Sequence, residues 1–528
     1  MKLLKPVIYL ILIGVIVYLL TMKTAPSLPD PVSTVEFPGT YTSMPYDDFK
    51  KLLPKRLEYL KNKSNFLSPY DKDKLAMMED KIYKVNNEQM VTMLFNMPNV
   101  GLNFYRLEPI KVPPASVTSF QFEQGNLGWF WFYGTFVDSN GSTASYMYYV
   151  NRVDTYSPEL RKELNLPMGS TTYYNISMGV GKAGEWSTIP FKITRGKYEI
   201  KSDSVFSLEC LDLPEGWKFT LASTGKGMFK IEGAWKDDSL KQQGFAMNVN
   251  AERAPFFNGK DNDGCSPCEG GMGTLYLSYT QMQSNGTMTT NDSTASYNNG
   301  TSWLDRQWAN SQVSTPYLAM FLNSMEMFKD KTGGLGKYVW LNLHLRKDLQ
   351  YMVFTFFPLD QYVTKGTKFN SQQIRYGAGK PEYLSGDAEV LETTVINKVE
   401  YPIKYKIKTQ DGTFTLDASK FDKSICIDVS NNAHWDGSGI IYDSTGKMTG
   451  TGFLEANQFT DPTTYVNNQL ISMGLDTTAQ NRAYFAEIGK LPMSQGLPSL
   501  IVLALAVIGV IVLLILFFKS LRSKKVTS

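Results

Sequence analysis

Two histidines and four cysteines in 528 residues leave little material for metal or redox chemistry. Around "CSPC", Cys265 to Cys268, no second Cys-x-x-Cys and no nearby histidine completes a tetrahedral zinc set, so no metal is expected there. The pair sits in the Gly/Asp-rich loop "DNDGCSPCEGG" rather than at a helix N-terminus after a strand, which argues against thioredoxin-type catalysis. In an oxidising compartment Cys265 and Cys268 read as a local disulfide; Cys210 and Cys426 fall in different units and are not assumed to pair. A charge imbalance is missing too. Net charge is only +3, and no Lys/Arg stripe interleaves with aromatics, which excludes a nucleic-acid partner.

Aromatics are plentiful: 30 Tyr, 30 Phe and 9 Trp suit β-rich packing and apolar pockets better than a helical bundle. At about 150 residues per domain, the length predicts two or three units. Both ends are apolar. "LPSLIVLALAVIGVIVLLILFF" (497–518) has no charge and is long enough for a transmembrane helix, and the basic "KSLRSKK" after it places the C-terminus in the cytoplasm. "PVIYLILIGVIVYLLTM" (6–22), flanked by Lys2 and Lys5, reads as a signal anchor or a cleaved signal peptide; without a small-x-small cleavage site the uncleaved anchor is favoured. Either way, residues 25–495 are expected on the extracytoplasmic or lumenal side. Sequons at Asn62, Asn140, Asn175, Asn285, Asn291 and Asn299 agree with a secretory location and a glycoprotein.

Residues 44–96 carry apolar residues at three and four spacing, predicting two helices interrupted near Ser64 to Pro69, within a helical region at 40–100. After residue 115 the texture is β. "YKIKTQDGTFTLDA" (405–418) alternates on both sides of Asp-Gly, and "GTLYLSYTQMQSNGTMTT" does so around Asn285-Gly286; both predict hairpins. "NGTSWLDRQW" (299–308) begins with what reads as another Asn-Gly turn and then gathers Trp303, Asp305, Arg306 and Trp308.

Four stretches occur in a telling order. "GWFWFYGTFVDSNGSTASYMYYVNR" (128–152) sets two aromatic strands around a polar turn and ends at Arg152. "LYLSYTQMQSNGTMTTNDSTASYNNGTSWLDRQWAN" leads into Trp-x-Asp-Arg. "YVWLNLHLRKDLQYMVFTFFP" is an aromatic strand pair, and "YPIKYKI" is followed by "HWDGSGIIYDSTGKMTGTGFLEANQF". Together, over residues 115–465, they resemble the carotenoid 1,2-hydratase-like and AttH-like superfamily. The resemblance implies a mainly β fold with two lipocalin-like antiparallel barrels in tandem, at 115–308 and 309–470, making 299–308 the hinge between them. Gly128, Gln307 and Asp436 stand where the family pattern has glutamate, which weakens any role carried over to those positions.

The hydratase branch implies addition of water across an isolated C=C bond. That needs an acid strong enough to protonate carbon and surroundings that tolerate a tertiary carbocation; no metal, nucleotide or histidine is required, so no cofactor is expected. Asp305 beside Trp303 is the candidate acid, if burial keeps its carboxyl protonated. Trp129, Trp131, Trp308, Trp340 and Glu455 are candidate ligand-binding residues, since aromatic faces stabilise a cation by ~0.5–2 kcal/mol. Other relatives imply cycloaddition in a shaped apolar pocket. Arg306 and Arg152 are expected to be structural, and the heavier reading of Asp305 is structural too, as an ion-pair partner of Arg306 at a barrel junction. Two functions follow: a membrane-anchored protein binding a hydrophobic small molecule, isoprenoid, lipid or polyketide-like, with hydratase, cyclase or isomerase activity, or a non-catalytic surface or envelope scaffold.

Overall fold

The structure, a computed structural model, describes residues 38–62, 79–96, 127–137, 143–309 and 336–482, with short breaks inside the last two spans. Both apolar ends, Cys268 and the side chains of Cys265, Trp308 and Cys426 lie outside the described residues. Among the described residues no helix is long and apolar enough to cross a membrane.

The first half comprises β1 (Gly39–Thr42), α1 (Tyr46–Asn62), α2 (Asn87–Asn96), β2 (Leu127–Val137), β3 (Thr143–Asp154), α3 (Pro158–Glu163), β4 (Thr172–Lys182), β5 (Glu185–Thr194), β6 (Gly196–Ser202), β7 (Val205–Cys210), β8 (Lys218–Gly225), β9 (Met228–Lys236), β10 (Gln242–Ala251), β11 (Phe256–Phe257), β12 (Cys265–Ser266), β13 (Thr274–Thr290) and β14 (Ser293–Ala309). The second half comprises β15 (Gly336–Arg346), β16 (Leu349–Pro358), β17 (Lys368–Tyr376), β18 (Glu382–Ile396), β19 (Val399–Thr409), β20 (Gly412–Asp417), β21 (Cys426–Ile427), β22 (His434–Asp443), β23 (Met448–Asn457) and α4 (Pro462–Ser472).

The second barrel closes as expected. Its strands run β20-β19-β18-β17-β16-β15-β23-β22, and β22 returns to β20 through pairs such as Leu416 with Ile441. Leu341, Tyr351, Tyr405 and Trp435 fill its interior. The first unit corrects the expectation of a second closed barrel: it is a curled sheet, ordered β1-β6-β7-β8-β9-β10-β13-β14-β2-β3-β4-β5, whose ends do not pair among the described residues. Its edge is capped by side chains. Glu88 of α2 accepts the Ile193 N–H of β5 at 3.0 Å, and Ser43, just after β1, accepts the Gly196 N–H and donates to Thr172 O. Backbone groups that closure would pair are thus satisfied by the N-terminal segment. The curl still encloses a core, in which Phe130, Tyr148, Phe219 and Phe229 are fully buried or nearly so.

Helix α1 turns Phe49, Leu53 and Leu57 inward at four-residue spacing, with Asp47 and Asp48 in its first turn. The second predicted helix is broken within the described residues, with a helical turn at 79–82 ahead of α2. The chain turns at Tyr83 to Val85, and Asn86 caps α2 by accepting the Gln89 N–H at 2.9 Å. Leu470 of α4 packs on the same apolar layer.

Neither the Asn285-Gly286 nor the Asn299-Gly300 pair forms a turn between strands; both lie inside strands. The β13–β14 hairpin closes at Asn291 and Asp292, both at positive φ (51° and 67°), instead of at Asn285-Gly286. A Cβ on Gly286 would collide with the Ala246 carbonyl of β10, so glycine there serves close strand approach. Asn299, at φ 60°, lies inside β14 beside a register slip, making a bulge in place of a hinge turn.

Candidate functional site

Strand alternation decides which side chains meet. On β14, Leu304 faces the interior of the curled sheet, while Trp303 and Asp305 face the opposite way. On β15, Leu341 and Leu343 fill the barrel while Trp340, Asn342 and His344 face out of it. The two outward faces meet in a seam of Trp131, Tyr133, Tyr276 and Trp303 from the sheet with Trp340, Met352, Tyr376 and Phe453 from the barrel. Trp131 meets Trp340 edge to face at 5.1 Å and Phe453 at 4.9 Å, and Trp303 meets Trp340 at 6.0 Å. Tyr133 donates its hydroxyl to Asn342, and Thr135 donates to Ser438 at 3.2 Å, so polar links also cross the seam.

Asp305 lies in this seam, 3% exposed, with Ser278 and Trp131 as its neighbours across the strands. Its Oδ1 accepts from the Ser278 hydroxyl and from Trp303 Nε1, each at 2.6 Å, and its Oδ2 accepts from the Tyr276 hydroxyl at 2.6 Å. Behind Ser278, Asn258 Nδ2 donates to its Oγ at 2.8 Å, and Tyr376 of the barrel donates to Asn258 Oδ1 at 2.5 Å. Burial pushes the Asp305 carboxyl up to about 7; the three donors pull it down, and the charge of Glu455 pushes it further up. The carboxyl therefore exchanges its proton near neutral pH. Arg306 is not its partner: it donates to the carbonyls of Trp129 at 3.1 Å and Gln307 at 2.8 Å and lies 4.3 Å over the Phe130 ring.

A second polar cluster occupies the barrel side. His434 and Asp436 stand two apart on β22, and Asp436 faces Glu455 across β23. His434 Nε2 is 2.9 Å from Asp436 Oδ1 and 3.2 Å from Glu455 Oε1, which also accepts the Tyr338 hydroxyl. Burial works to strip His434 of its proton, but the Asp436 charge and the bonds to both carboxylates lift it to about 10. Burial raises Asp436 to about 6, and the His434 and Tyr338 bonds hold Glu455 below its ordinary value despite burial.

Of the residues singled out by sequence, Trp131, Trp303, Asp305 and Trp340 come together in the seam, with half-buried Trp129 packed against them. Glu455 faces this seam and not a cavity inside the barrel, because Leu454 and Ala456 take the interior. Arg152 is fully buried, its Nε 3.7 Å from Asp154. Sequence reasoning missed Tyr276, Ser278, Tyr338 and His434. Period-two alternation could have found them, since "LYLSY" puts Tyr276 and Ser278 on one face and "HWD" does the same for His434 and Asp436.

At one end of the seam a cleft of about 440 Å³ is lined by Thr135, Gln281, Asn299, His344, Gln350 and Thr451. Burial, reinforced by the Arg253 guanidinium, pushes His344 down to about 3, so its imidazole is neutral. Its ring meets Trp303 edge to face at 5.6 Å, which makes Trp303 the bridge between cleft and Asp305. His344 Nε2 and Trp340 Nε1 are buried without a hydrogen-bond partner among the described residues.

A closed antiparallel barrel joined face to face with a curled sheet, and a buried carboxyl in the aromatic seam, define a two-unit β scaffold of lipocalin-like type. Residues 123–457 match the AttH-like family over most of the chain, and the chain belongs to that family. Among solved structures, one described as an AttH protein from Nitrosomonas europaea is 13% identical, with a TM-score of 0.45, covering 67% of this chain and 100% of that one. Kievitone hydratase from Nectria haematococca is 14% identical, with a TM-score of 0.35, covering 68% and 98% respectively. No curated protein matches.

Proposed function

We propose that this AttH-like protein binds a hydrophobic small molecule with an isolated trisubstituted alkene, of isoprenoid or polyketide type, in the seam and adds water to it. The carrying observation is Asp305: a carboxyl that burial brings to about 7, held by three donors among tryptophans, and free of Arg306. In the proposed step the Asp305 O–H bond breaks and its proton joins the less substituted alkene carbon as the π bond opens. Trp131, Trp303 and Trp340 shelter the tertiary cation, each face worth ~0.5–2 kcal/mol. Water then forms the C–O bond and returns a proton to the Asp305 carboxylate; loss of a proton from a neighbouring carbon instead would give isomerisation. The Trp340 N–H, without a partner among the described residues, supports a ligand oxygen in the seam, because a buried donor left unmade costs ~1–3 kcal/mol. The apolar runs at 6–22 and 497–518 would hold the scaffold beside a bilayer that stores such substrates.

The test uses full-length protein in detergent micelles with geranylgeraniol in D2O. Deuterium at the carbon next to a new tertiary alcohol, or at a shifted double bond, supports the reading. Loss of that product by about 100-fold or more in Asp305→Asn is expected for removal of a general acid. No deuterated product from this alkene or from a set of carotenoid and polyketide alkenes, together with no lipid extracted from the purified protein, would favour a non-catalytic scaffold, the rival reading suggested by Gly128 and Gln307 at family glutamate positions.

A further inference from the structure

One of the two histidines, His434, stands beside two largely buried carboxylates on paired strands. From the juxtaposition of His434, Asp436 and Glu455 on two paired strands, we infer that the protein binds a divalent first-row transition ion such as Zn2+ at the barrel side of the seam. This goes beyond the alkene reading and holds whether or not Asp305 protonates a substrate.

One imidazole nitrogen faces two carboxylates. A single N–H can be directed well at only one of them, whereas a cation satisfies all three groups at once. The contributing atoms lie within 4.8 Å of one another, and the His434 Nε2 separations of 2.9 and 3.2 Å suit the geometry. Ligand atoms bound at about 2.0–2.2 Å with bond angles of 90–109° stand roughly 2.9–3.5 Å apart. A divalent ion would also offset the charge of two carboxylates that are only 2% and 15% exposed. One nitrogen and two carboxylates suit zinc, manganese or ferrous iron; calcium needs six to eight oxygens. The scaffold is rigid: Asp436 and Glu455 are a cross-strand pair, and His434 shares their face. The Tyr338 hydroxyl on Glu455, with Asn457 Nδ2 donating to Tyr338 at 2.8 Å, supplies the outer hydrogen bonds that orient a ligating carboxylate. Residual exposure of His434 and Glu455, at 13% and 15%, leaves an approach from solvent.

The test is titration of EDTA-treated, exhaustively dialysed full-length protein in detergent with ZnCl2, read by calorimetry, by elemental analysis after gel filtration and by thermal melting. One equivalent per chain and a raised melting temperature are expected. His434→Gln and Glu455→Gln should each weaken binding by about 100-fold or more, beyond the ~10–100-fold typical of outer-shell changes, and Tyr338→Phe by roughly 10-fold. Cys265→Ser/Cys268→Ser should bind as the parent does. Absence of binding in the parent chain, or binding that survives His434→Gln and Glu455→Gln in variants that melt cooperatively, would overturn the assignment. Loss of binding in the cysteine variant alone would relocate the ion and overturn it too.

Discussion

Asp305 and Arg306, consecutive on β14, point to opposite sides of the strand: the carboxyl into the seam under Ser278, Tyr276 and Trp303, the guanidinium onto backbone carbonyls and the Phe130 ring. Sequence adjacency suggested an ion pair. Strand geometry forbids it, and the buried carboxyl is left to donors that are neutral.

That arrangement adds a contribution to stability that falls with rising pH, opposed below about 6.5 by His344, whose depressed value contributes in the other direction. A folded carboxyl that keeps its proton to about 7, against about 3.9 when unfolded, means the native state binds more protons across that window. The advantage is fully present below about 4 and is lost as pH rises through about 7, on the order of 4 kcal/mol in total. Asp305→Asn should remove this falling contribution, so that stability in urea melts between pH 4 and 8 falls less, or rises more, with pH than in the parent. The variant should fold, because the Tyr276 hydroxyl can turn to accept from the new amide. An unchanged slope would mean that Asp305 is not the group held neutral.

Ser278→Ala separates the donors from burial. Removing one hydrogen bond to the charged form should lift Asp305 further, moving the midpoint of its carboxyl titration by carbon NMR, and the basic limb of any pH–rate profile, to higher pH. A move to lower pH would show that Ser278 accepts from a protonated Asp305 and not the reverse.

A structural role for Arg306 can be tested directly. Arg306→Met keeps the stem but forfeits two bonds to carbonyls and the contact with Phe130, and should cost about 2–4 kcal/mol in denaturant melts. Lysine should rescue it only in part, since an ammonium lacks the planar guanidinium that lies over the Phe130 ring. The pH slope tied to Asp305 should survive in both variants; its disappearance would show electrostatic coupling through the strand.

The legible part of this chain was its periodicity. Alternation around "YKIKTQDGTFTLDA" placed the β19–β20 hairpin, and the aromatic stretches from Gly128 onward placed the strands that carry Trp131, Trp303 and Trp340. Alternation alone does not say which face meets what. The seam depends on the barrel docking against the curled sheet, so the Asp305 surroundings and the outward turn of Glu455 come from tertiary contact. Asn-Gly misled for a local reason: positive φ serves a bulge inside β14 as well as a turn between strands, and the two share one dipeptide signal. Open edges were invisible because a serine and a glutamate far away in sequence cap them.

Sequon use would test the proposed extracytoplasmic placement of residues 25–495. Asn291 is exposed in the β13–β14 turn, its side-chain oxygen accepting from Gln243 Nε2 of β10 at 2.9 Å. Asn175 is half-buried in β4, paired with Asn151 on one side and Ile193 on the other, and a transferase could reach it only before the sheet forms. In a eukaryotic secretory host the full-length chain should therefore carry a glycosidase-sensitive mass that drops in Asn291→Gln and stays unchanged in Asn175→Gln. Because glycans are added only on the lumenal face, a parent chain of unmodified mass would refute translocation of this region. The anchor reading of 6–22 and 497–518 would fall with it, while the seam chemistry of Asp305, which needs no membrane, would stand.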